Sequence, residues 1–112
     1  KDLFIFTTLS SSGADILALW ENSKAIIPPH HINFFNPKSI VIFLKKNKFK
    51  ILSISTPGKL DIDILENEKK RIKDRFWKTF VYLAGKKDKV KMQNLISNIN
   101  FSSHMMVICK KQ

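Results

Sequence analysis

The sequence predicts an α/β fold in which the strands of one sheet alternate with helices. Three short apolar runs, each rich in β-branched or aromatic residues, predict strands at 3–8 (LFIFTT), 50–56 (KILSIST) and 104–109 (HMMVIC). The segments between them place apolar residues at helical spacing, which favours amphipathic helices. Since strand, helix and strand follow in this order, we expect a right-handed crossover that sets the first two strands parallel in one sheet.

The first strand, Leu3 to Thr8, ends at the polar turn SSSG. Its apolar run is uninterrupted, which is typical of a strand that is buried on both faces. The glycine permits a sharp bend, so a simple turn is the plainer interpretation of this pattern. A serine and glycine turn after a strand can also cradle an anion, and Ser12 and Gly13 are therefore candidate substrate contacts.

A long loop follows, interrupted by a short helix at 15–20 and containing PPHHINFF at 28–35. Structureless loops of this length are uncommon inside compact domains and are often functional. We therefore expect residues 9–35 to form a wall that faces a ligand.

Asn36 and Pro37 mark the start of the next helix, which we expect to extend to Lys46. The asparagine oxygen can accept hydrogen bonds from the first free backbone amides, and proline at the first helical position loses no hydrogen bond. Asn47 is expected to end this helix in the left-handed conformation.

The second half of the chain predicts two further helices before the last strand. A long amphipathic helix is expected from Glu66 to Ala84, because apolar residues recur at helical intervals at Ile72, Phe76, Phe80 and Leu83. Asp88 is expected to cap a third helix, whose apolar face comprises Met92, Leu95, Ile96 and Ile99. The last strand, His104 to Cys109, is expected to be central in the sheet.

The charge of the chain is uneven along its length. The formal net charge is +11, and the first 44 residues are neutral, so the whole excess lies after them. Such an excess raises nucleic acid or an anionic membrane as a partner. However, all basic residues except Arg71 and Arg75 are Lys, whereas Arg is the better reader of phosphates and bases. We interpret most of the excess as a solvated surface and do not expect nucleic acid as the partner.

The composition limits the class of protein. At 112 residues the chain is one domain or part of one. No apolar run approaches the roughly 18 to 20 residues that a membrane span needs, so we expect a soluble protein without a membrane span. Its single cysteine, Cys109, permits no internal disulfide, which fits a reducing compartment and predicts a cytoplasmic location.

Five segments together resemble the C-terminal half of a class I, Rossmann-like methyltransferase that uses S-adenosylmethionine. They are the strand LFIFTT, the run HINFFNPKS from His31 to Ser39, the helix that ends before a Phe, the phrase STPGKLDID and the closing SSHMMVICKK. The resemblance covers nearly the whole chain and rests on the order and spacing of these segments. It implies that the three strands correspond to the fifth, sixth and seventh of the family's sheet. The seventh would be antiparallel and inserted between the other two.

The resemblance also implies a division of the chain and of the enzyme. Residues 1–112 would form one partial domain on the substrate side, with residues 59–100 as a helical insertion before the last strand. The family holds S-adenosylmethionine with a glycine-rich turn and an acidic residue in its N-terminal half. This chain has only Gly13, Gly58 and Gly85, so we expect it to bind the cofactor poorly and to be inactive alone. The family usually has Gly where this chain has Lys48.

By this resemblance, His31 lies in a loop at the carboxyl end of the sheet, where ligands bind in open α/β folds. Methyl transfer to a hydroxyl needs a base, and histidine suits that task near neutral pH. We therefore predict His31 as a catalytic or substrate-contacting residue, with His30, Asn33 and Phe34 as further substrate contacts. A structural role of His31 in bracing the loop is an open alternative.

Other chemistry is less well supported by the sequence. Adjacent histidines rarely share a metal, and the chain has no Cys-x-x-Cys or His-Glu-x-x-His spacing, so no metal site is predicted from His30, His31, His104 and Cys109. Cys109 lies in an apolar strand, where thiols are usually inert. The alternative function is a basic module that binds nucleic acid or protein without catalysis, using the basic residues between 69 and 78.

The predicted partners follow from the same resemblance. The acceptor would be a small molecule, and the missing N-terminal half of the same protein would bind the methyl donor. The sequence begins at Lys1 without an initiator methionine, and we expect it to be a segment of a longer protein. Without its neighbour, the strand from Leu3 to Thr8 would be a bare apolar edge, which predicts a homodimer or strand exchange.

Overall fold

A computed structural model describes residues 2–24 and 35–112 of the chain. The elements of the described part are β1 (Leu3–Leu9), α1 (Ala14–Leu19), a 3₁₀ turn (Trp20–Asn22), α2 (Pro37–Lys46), β2 (Phe49–Ser55), α3 (Asp61–Asn67), a second 3₁₀ turn (Lys69–Arg71), α4 (Arg75–Leu83), α5 (Lys86–Asn98) and β3 (His104–Lys111). The mixed α/β class predicted from the sequence is confirmed.

The three strands form one sheet in the order β1-β3-β2. β3 is antiparallel to both of its neighbours, so β1 and β2 run in the same direction on either side of it. The predictions that the last strand is central and that it is inserted antiparallel between the other two are therefore confirmed.

One face of the sheet is covered by α2. Met105, Val107 and Cys109 alternate along β3 and are buried against Ile40 and Leu44 of the helix. Since directly opposite residues of an antiparallel pair share a face, the β1 residues opposite Val107 and Cys109 also point toward this side. They are Phe6 and Phe4.

The other face of the sheet is open in the described part of the chain. Ile5 of β1 stands opposite Ile108 of β3, and Thr7 stands opposite Met106. Leu3 and Ile5 are 57% and 63% exposed, so the prediction that β1 is buried on both faces is wrong. The physical reason is the position of β1, which is an edge strand: among the described residues, β3 is its one neighbouring strand, and one face of the sheet is covered.

A second hydrophobic core is formed by helices. Leu19 of α1, Leu65 of α3, Val81 of α4 and Ile96 of α5 are buried together. Ile72 joins the same core from the extended segment between the second 3₁₀ turn and α4. No helix of the described residues is long and apolar enough to cross a membrane.

The long helix predicted from Glu66 to Ala84 is wrong. The chain forms α3, a 3₁₀ turn and α4 over this stretch, and residues 72–74 are extended between them. Asp74 caps α4, because its carboxylate accepts a hydrogen bond from the backbone N–H of Trp77 at 2.9 Å. The helical spacing of Ile72 and Phe76 therefore spans a helix start rather than a helix interior.

The predicted start and end of α2, Pro37 and Lys46, are confirmed, and only the residue predicted to be left-handed after the helix is corrected. Asn36 Oδ1 accepts from the backbone N–H groups of Lys38 and Ser39, and the Ser39 hydroxyl accepts from the backbone N–H of Asn36. The left-handed residue after the helix is Lys48, with φ 64°, whereas Asn47 has φ −96°. Lys48 thus adopts a left-handed conformation, which glycine takes at little steric cost.

The third predicted helix begins earlier than expected. α5 starts at Lys86, with Gly85 rather than Asp88 at its N-cap position. On its predicted apolar face, Ile96 is buried, but Leu95 and Ile99 are exposed.

Candidate functional site

The residues predicted to contact a substrate fall into two groups. Ser12 and Gly13 lie in the turn that joins β1 to α1. The predicted contacts His30, His31, Asn33 and Phe34 lie outside the described residues, so their roles stay predictions. The turn and its neighbours are the described part of the predicted site.

The turn after β1 packs directly on the segment that precedes β3. The backbone N–H of Ser10 donates to the carbonyl of Ser103 at 2.8 Å, and that of Gly13 donates to the carbonyl of Ser10 at 3.0 Å. A Cβ atom on Gly13 would lie 2.3 Å from the Cα of Ser103, so glycine is required here by close approach. Gly13 is buried and Ser12 is half-buried, so Ser12 is the more accessible of the two.

A buried carboxylate, Asp61, joins α3 to the segment before β3. Asp61 is 1% exposed, and its Oδ2 accepts from the backbone N–H of Ser103 at 2.9 Å. Its Oδ1 accepts from the hydroxyl of Ser102 at 2.5 Å and from Nε2 of Gln93 at 3.2 Å. These three donors offset the cost of removing the carboxylate from water.

Gln93 extends this network to α5. Its Oε1 accepts from the backbone N–H of Ile62 at 2.9 Å. Its Nε2 lies 3.2 Å from the carbonyl oxygen of Gly58 and 3.1 Å from the hydroxyl of Ser97. The network therefore fixes the segment between β2 and α3 against the side of α5.

A second buried carboxyl, Asp15 of α1, lies beside Asp61. Asp15 is 2% exposed. Burial raises the pKa of Asp15 from an ordinary 3.8 to about 7, and the hydrogen bond and negative charge of Asp61 add to this effect, while a hydrogen bond with Ser103 opposes it. Asp15 can therefore keep a proton near neutral pH.

A cavity of about 270 Å³ lies next to Asp15. It is lined by Asp15, Ser23, Lys24, Ile64, Asn67 and Glu68. Lys24 Nζ lies 3.2 Å from Glu68 Oε1 across this cavity, and residue 25 begins the segment that contains the predicted histidines. The cavity therefore borders the loop that the sequence predicts as a ligand-facing wall.

Asp15, Asp61 and their hydrogen-bond partners lie at the edge of the sheet where β1 and β2 end. Ser10 follows the carboxyl end of β1, and Thr56 follows that of β2, while Ser103 precedes β3 between them. Ligands of open α/β sheets bind at the carboxyl ends of the strands. The Asp15 and Asp61 pair is buried at this edge, so it can hold the surrounding segments in place and store a proton, while its oxygens stay shielded from water.

Sequence reasoning missed Asp15, Asp61 and Gln93 as parts of this site. The sequence did contain a signal for Asp61. Two of the segments on which the resemblance is based include parts of this site: STPGKLDID contains Gly58 and Asp61, and SSHMMVICKK contains Ser102 and Ser103. The structure joins these two phrases through the Asp61 carboxylate.

Outside the Asp15 and Asp61 region, a larger cavity of about 510 Å³ lies between α3 and α5. It is lined by Lys59, Ile62, Asp63, Glu66, Lys86, Lys89, Val90, Gln93 and Asn94. Within residues 2–24 and 35–112, no group of three or more His, Cys, Asp or Glu side chains could hold a metal ion.

No protein-family model, no curated protein and no solved structure matches this chain.

Proposed function

We propose that this chain is the acceptor-side part of an S-adenosylmethionine-dependent methyltransferase that acts on a small molecule with a hydroxyl or amine group. The observation that carries the proposal is the order of the sheet. A strand that is last in sequence lies antiparallel between two strands that run in the same direction. This is the arrangement that the resemblance implies for the fifth, seventh and sixth strands of the family's sheet.

The glycines support the placement of the methyl donor on another part of the enzyme. Gly13 packs on Ser103, and a Cβ atom on Gly58 would lie 2.6 Å from the hydroxyl of Ser102. Both glycines are thus used in packing, and Gly85 is the N-cap residue of α5. The described residues do not fit S-adenosylmethionine, because none of them forms a glycine-rich turn between a strand and a helix.

The exposed edge of the sheet supports the same division. β1 has β3 as its one neighbour among the described strands, and Leu3, Phe4 and Ile5 are exposed along it. Isolated proteins rarely leave a long apolar edge of this kind open. In the proposed enzyme, the donor-binding half pairs with β1 and covers the open face of the sheet.

The acceptor would bind at the carboxyl ends of β1 and β2, beside the cavity that Asp15 and Lys24 line. Ser12, Gly13, His30, Asn33 and Phe34 are the proposed acceptor contacts. His31 is the proposed base, which would take the proton that the acceptor's hydroxyl or amine loses.

Two measurements test this function. S-adenosylmethionine titrated into the complete protein encoded by the gene should bind, and it should bind the 112-residue chain much more weakly. The complete protein should transfer a labelled methyl group to a component of a small-molecule extract, and His31→Ala should slow this transfer by about 100-fold or more.

Absence of cofactor binding by the complete protein would contradict the proposed function. Unchanged turnover and acceptor affinity in His31→Ala would instead leave the function intact and make His31 a structural residue. Tight binding of duplex DNA or RNA by the chain, with an affinity that falls steeply with salt, would favour the basic binding module.

A further inference from the structure

The outer side of α4 carries apolar side chains that no other described residue covers. Val81 faces the helical core, and Trp77 packs partly against it. On the other side of the helix, Phe76 is 60% exposed and Leu83 is 80% exposed. Because these two residues are seven apart, they lie on the same side of the helix.

These exposed side chains border a shallow groove rather than standing alone. A cavity of about 390 Å³ is lined by Phe76, Thr79, Phe80, Leu83, Ala84 and Asp88. The rings of Phe76 and Phe80 are stacked with centroids 6.3 Å apart. The outer side of α4 is therefore a continuous apolar strip.

Basic residues are frequent in the sequence around this strip. Residues 69–91 contain ten Lys and Arg against two Asp. Arg75 precedes Phe76 on α4, and Lys87 precedes Asp88, which lines the groove, at the start of α5. Both side chains are exposed, and neither forms an ion pair with a described residue, so their charges are free to meet an anionic surface.

We propose that the outer side of α4, together with the start of α5, binds the surface of an anionic lipid bilayer. Phe76 and Leu83 insert at the boundary between headgroups and acyl chains, and the neighbouring basic side chains Arg75 and Lys87 meet the lipid phosphates. An apolar strip flanked by Lys and Arg is the pattern by which helices lie in the plane of a membrane surface. This inference is independent of the proposed methyltransferase function.

Two observations favour lipid over nucleic acid as the occupant. Leu83 is the most exposed large apolar side chain of the described residues, and an aliphatic side chain has no ring on which a base can stack. The flanking charges are mostly Lys, whereas Arg is preferred for contacts with bases and bidentate phosphate contacts.

Vesicle sedimentation tests the proposal. The chain should bind vesicles of phosphatidylcholine mixed with phosphatidylglycerol and should bind vesicles of phosphatidylcholine alone at least about tenfold more weakly. Phe76→Ser with Leu83→Ser should weaken binding to the mixed vesicles by about tenfold or more, although the charge is unchanged. Since both side chains are exposed, the double variant should keep its fold, which circular dichroism checks.

A matched control distinguishes insertion of the apolar strip from the general attraction that a net charge of +11 exerts on anionic vesicles. Ile42 and Leu52 are 61% and 46% exposed on α2 and β2, and Ile42→Ser with Leu52→Ser should bind the mixed vesicles as the unmodified chain does. Equal binding by the unmodified chain and the Phe76 and Leu83 variant would overturn the proposal and leave simple electrostatic adsorption.

A fluorophore placed on the strip gives a second readout. Cys109 is buried, so a thiol-reactive, environment-sensitive dye attached through Leu83→Cys reports from that position. Its emission should shift to the blue with mixed vesicles, whereas the same dye attached through Ile42→Cys should not shift. No shift at Leu83→Cys would overturn the proposal, and so would tight binding of duplex RNA that prevents vesicle binding.

Discussion

Asp15 connects a single buried residue to a measurable dependence of stability on pH. Its pKa is raised from 3.8 to about 7, chiefly by burial. Between about pH 4 and 7, the folded state therefore holds a proton that the unfolded state has released. The free energy of unfolding should fall with rising pH across this interval by up to about 1.4 kcal/mol per pH unit, and this contribution should become constant above pH 7.

Asp15→Asn tests this linkage, because the amide can donate to Asp61 as the protonated acid does but cannot ionise. The variant should gain stability relative to the unmodified chain as pH rises from 4 to 7, as measured by urea unfolding at each pH. Asp63→Asn is the control, since Asp63 is exposed on α3. A stability difference between Asp15→Asn and the unmodified chain that does not change with pH would contradict the raised pKa.

Residues with strong local preferences were predictable, and residues that act through distant contacts were not. Asn36 and Pro37 identify the start of α2 without any knowledge of the fold, because the capping hydrogen bonds are made within three residues. Asp15 and Asp61 are 46 positions apart in the sequence. Their pairing depends on how α1 and α3 pack, so no local pattern could have predicted it.

At the scale of the element, the end of α2 carries backbone strain. Lys48 has φ 64°, a conformation that costs a residue with a Cβ atom about 1–2 kcal/mol and costs glycine almost nothing. Lys48→Gly should therefore raise the free energy of unfolding, by up to about 1 kcal/mol after the greater entropy of glycine in the unfolded chain is subtracted. Thermal or urea unfolding at neutral pH measures this change.

Asn47→Gly is the matched control at the neighbouring position. Asn47 has φ −96°, so glycine relieves no strain there. It adds unfolded-state entropy and removes the hydrogen bond that Asn47 Nδ2 donates to the carbonyl of Phe43 at 2.8 Å. This variant should lose stability. If Lys48→Gly and Asn47→Gly destabilised the chain equally, the left-handed conformation of Lys48 would not be the source of strain.

The helices of the second half show where periodicity alone misleads. Ile72 is buried with Val81 and Ile96, as a residue on the inner face of a long helix would be. However, Ile72 reaches this core from an extended segment, and Asp74 starts a new helix after it. The predicted apolar stripe therefore identified a core residue correctly and its secondary structure wrongly. Asp74 was the local signal for the break.

At the scale of the whole molecule, the sheet was predictable in order but not in burial. The position of β3 between β1 and β2 was implied by the resemblance. The apolar run of β1 predicted a strand covered on both sides, yet one face of the sheet is open in the described residues. The apolar sequence of a strand predicts that its side chains are buried, but it does not show whether the described residues or another part of the protein cover them.

The open edge and face predict self-association of the 112-residue chain. Two copies can pair along β1 and bury Leu3 and Ile5, whereas the net charge of +11 on each copy opposes their approach. Added salt screens this repulsion and should shift the chain from monomer toward dimer. Light scattering coupled to size-exclusion chromatography, at several concentrations of protein and salt, measures the mass.

Ile5→Lys should prevent this association, because a charge on the exposed side of an edge strand cannot be buried against a second copy. Ile42→Lys adds the same charge at a comparably exposed position on α2 and should leave the dimer in place. Equal loss of dimer in both variants would show that net charge, rather than the edge of β1, controls association. A monomeric mass of the unmodified chain at every salt concentration would show that β1 does not pair. Screening also weakens attraction to anionic vesicles, so salt should favour the dimer and oppose lipid binding. These opposite responses to salt distinguish association through the edge of β1 from binding through the apolar strip on α4.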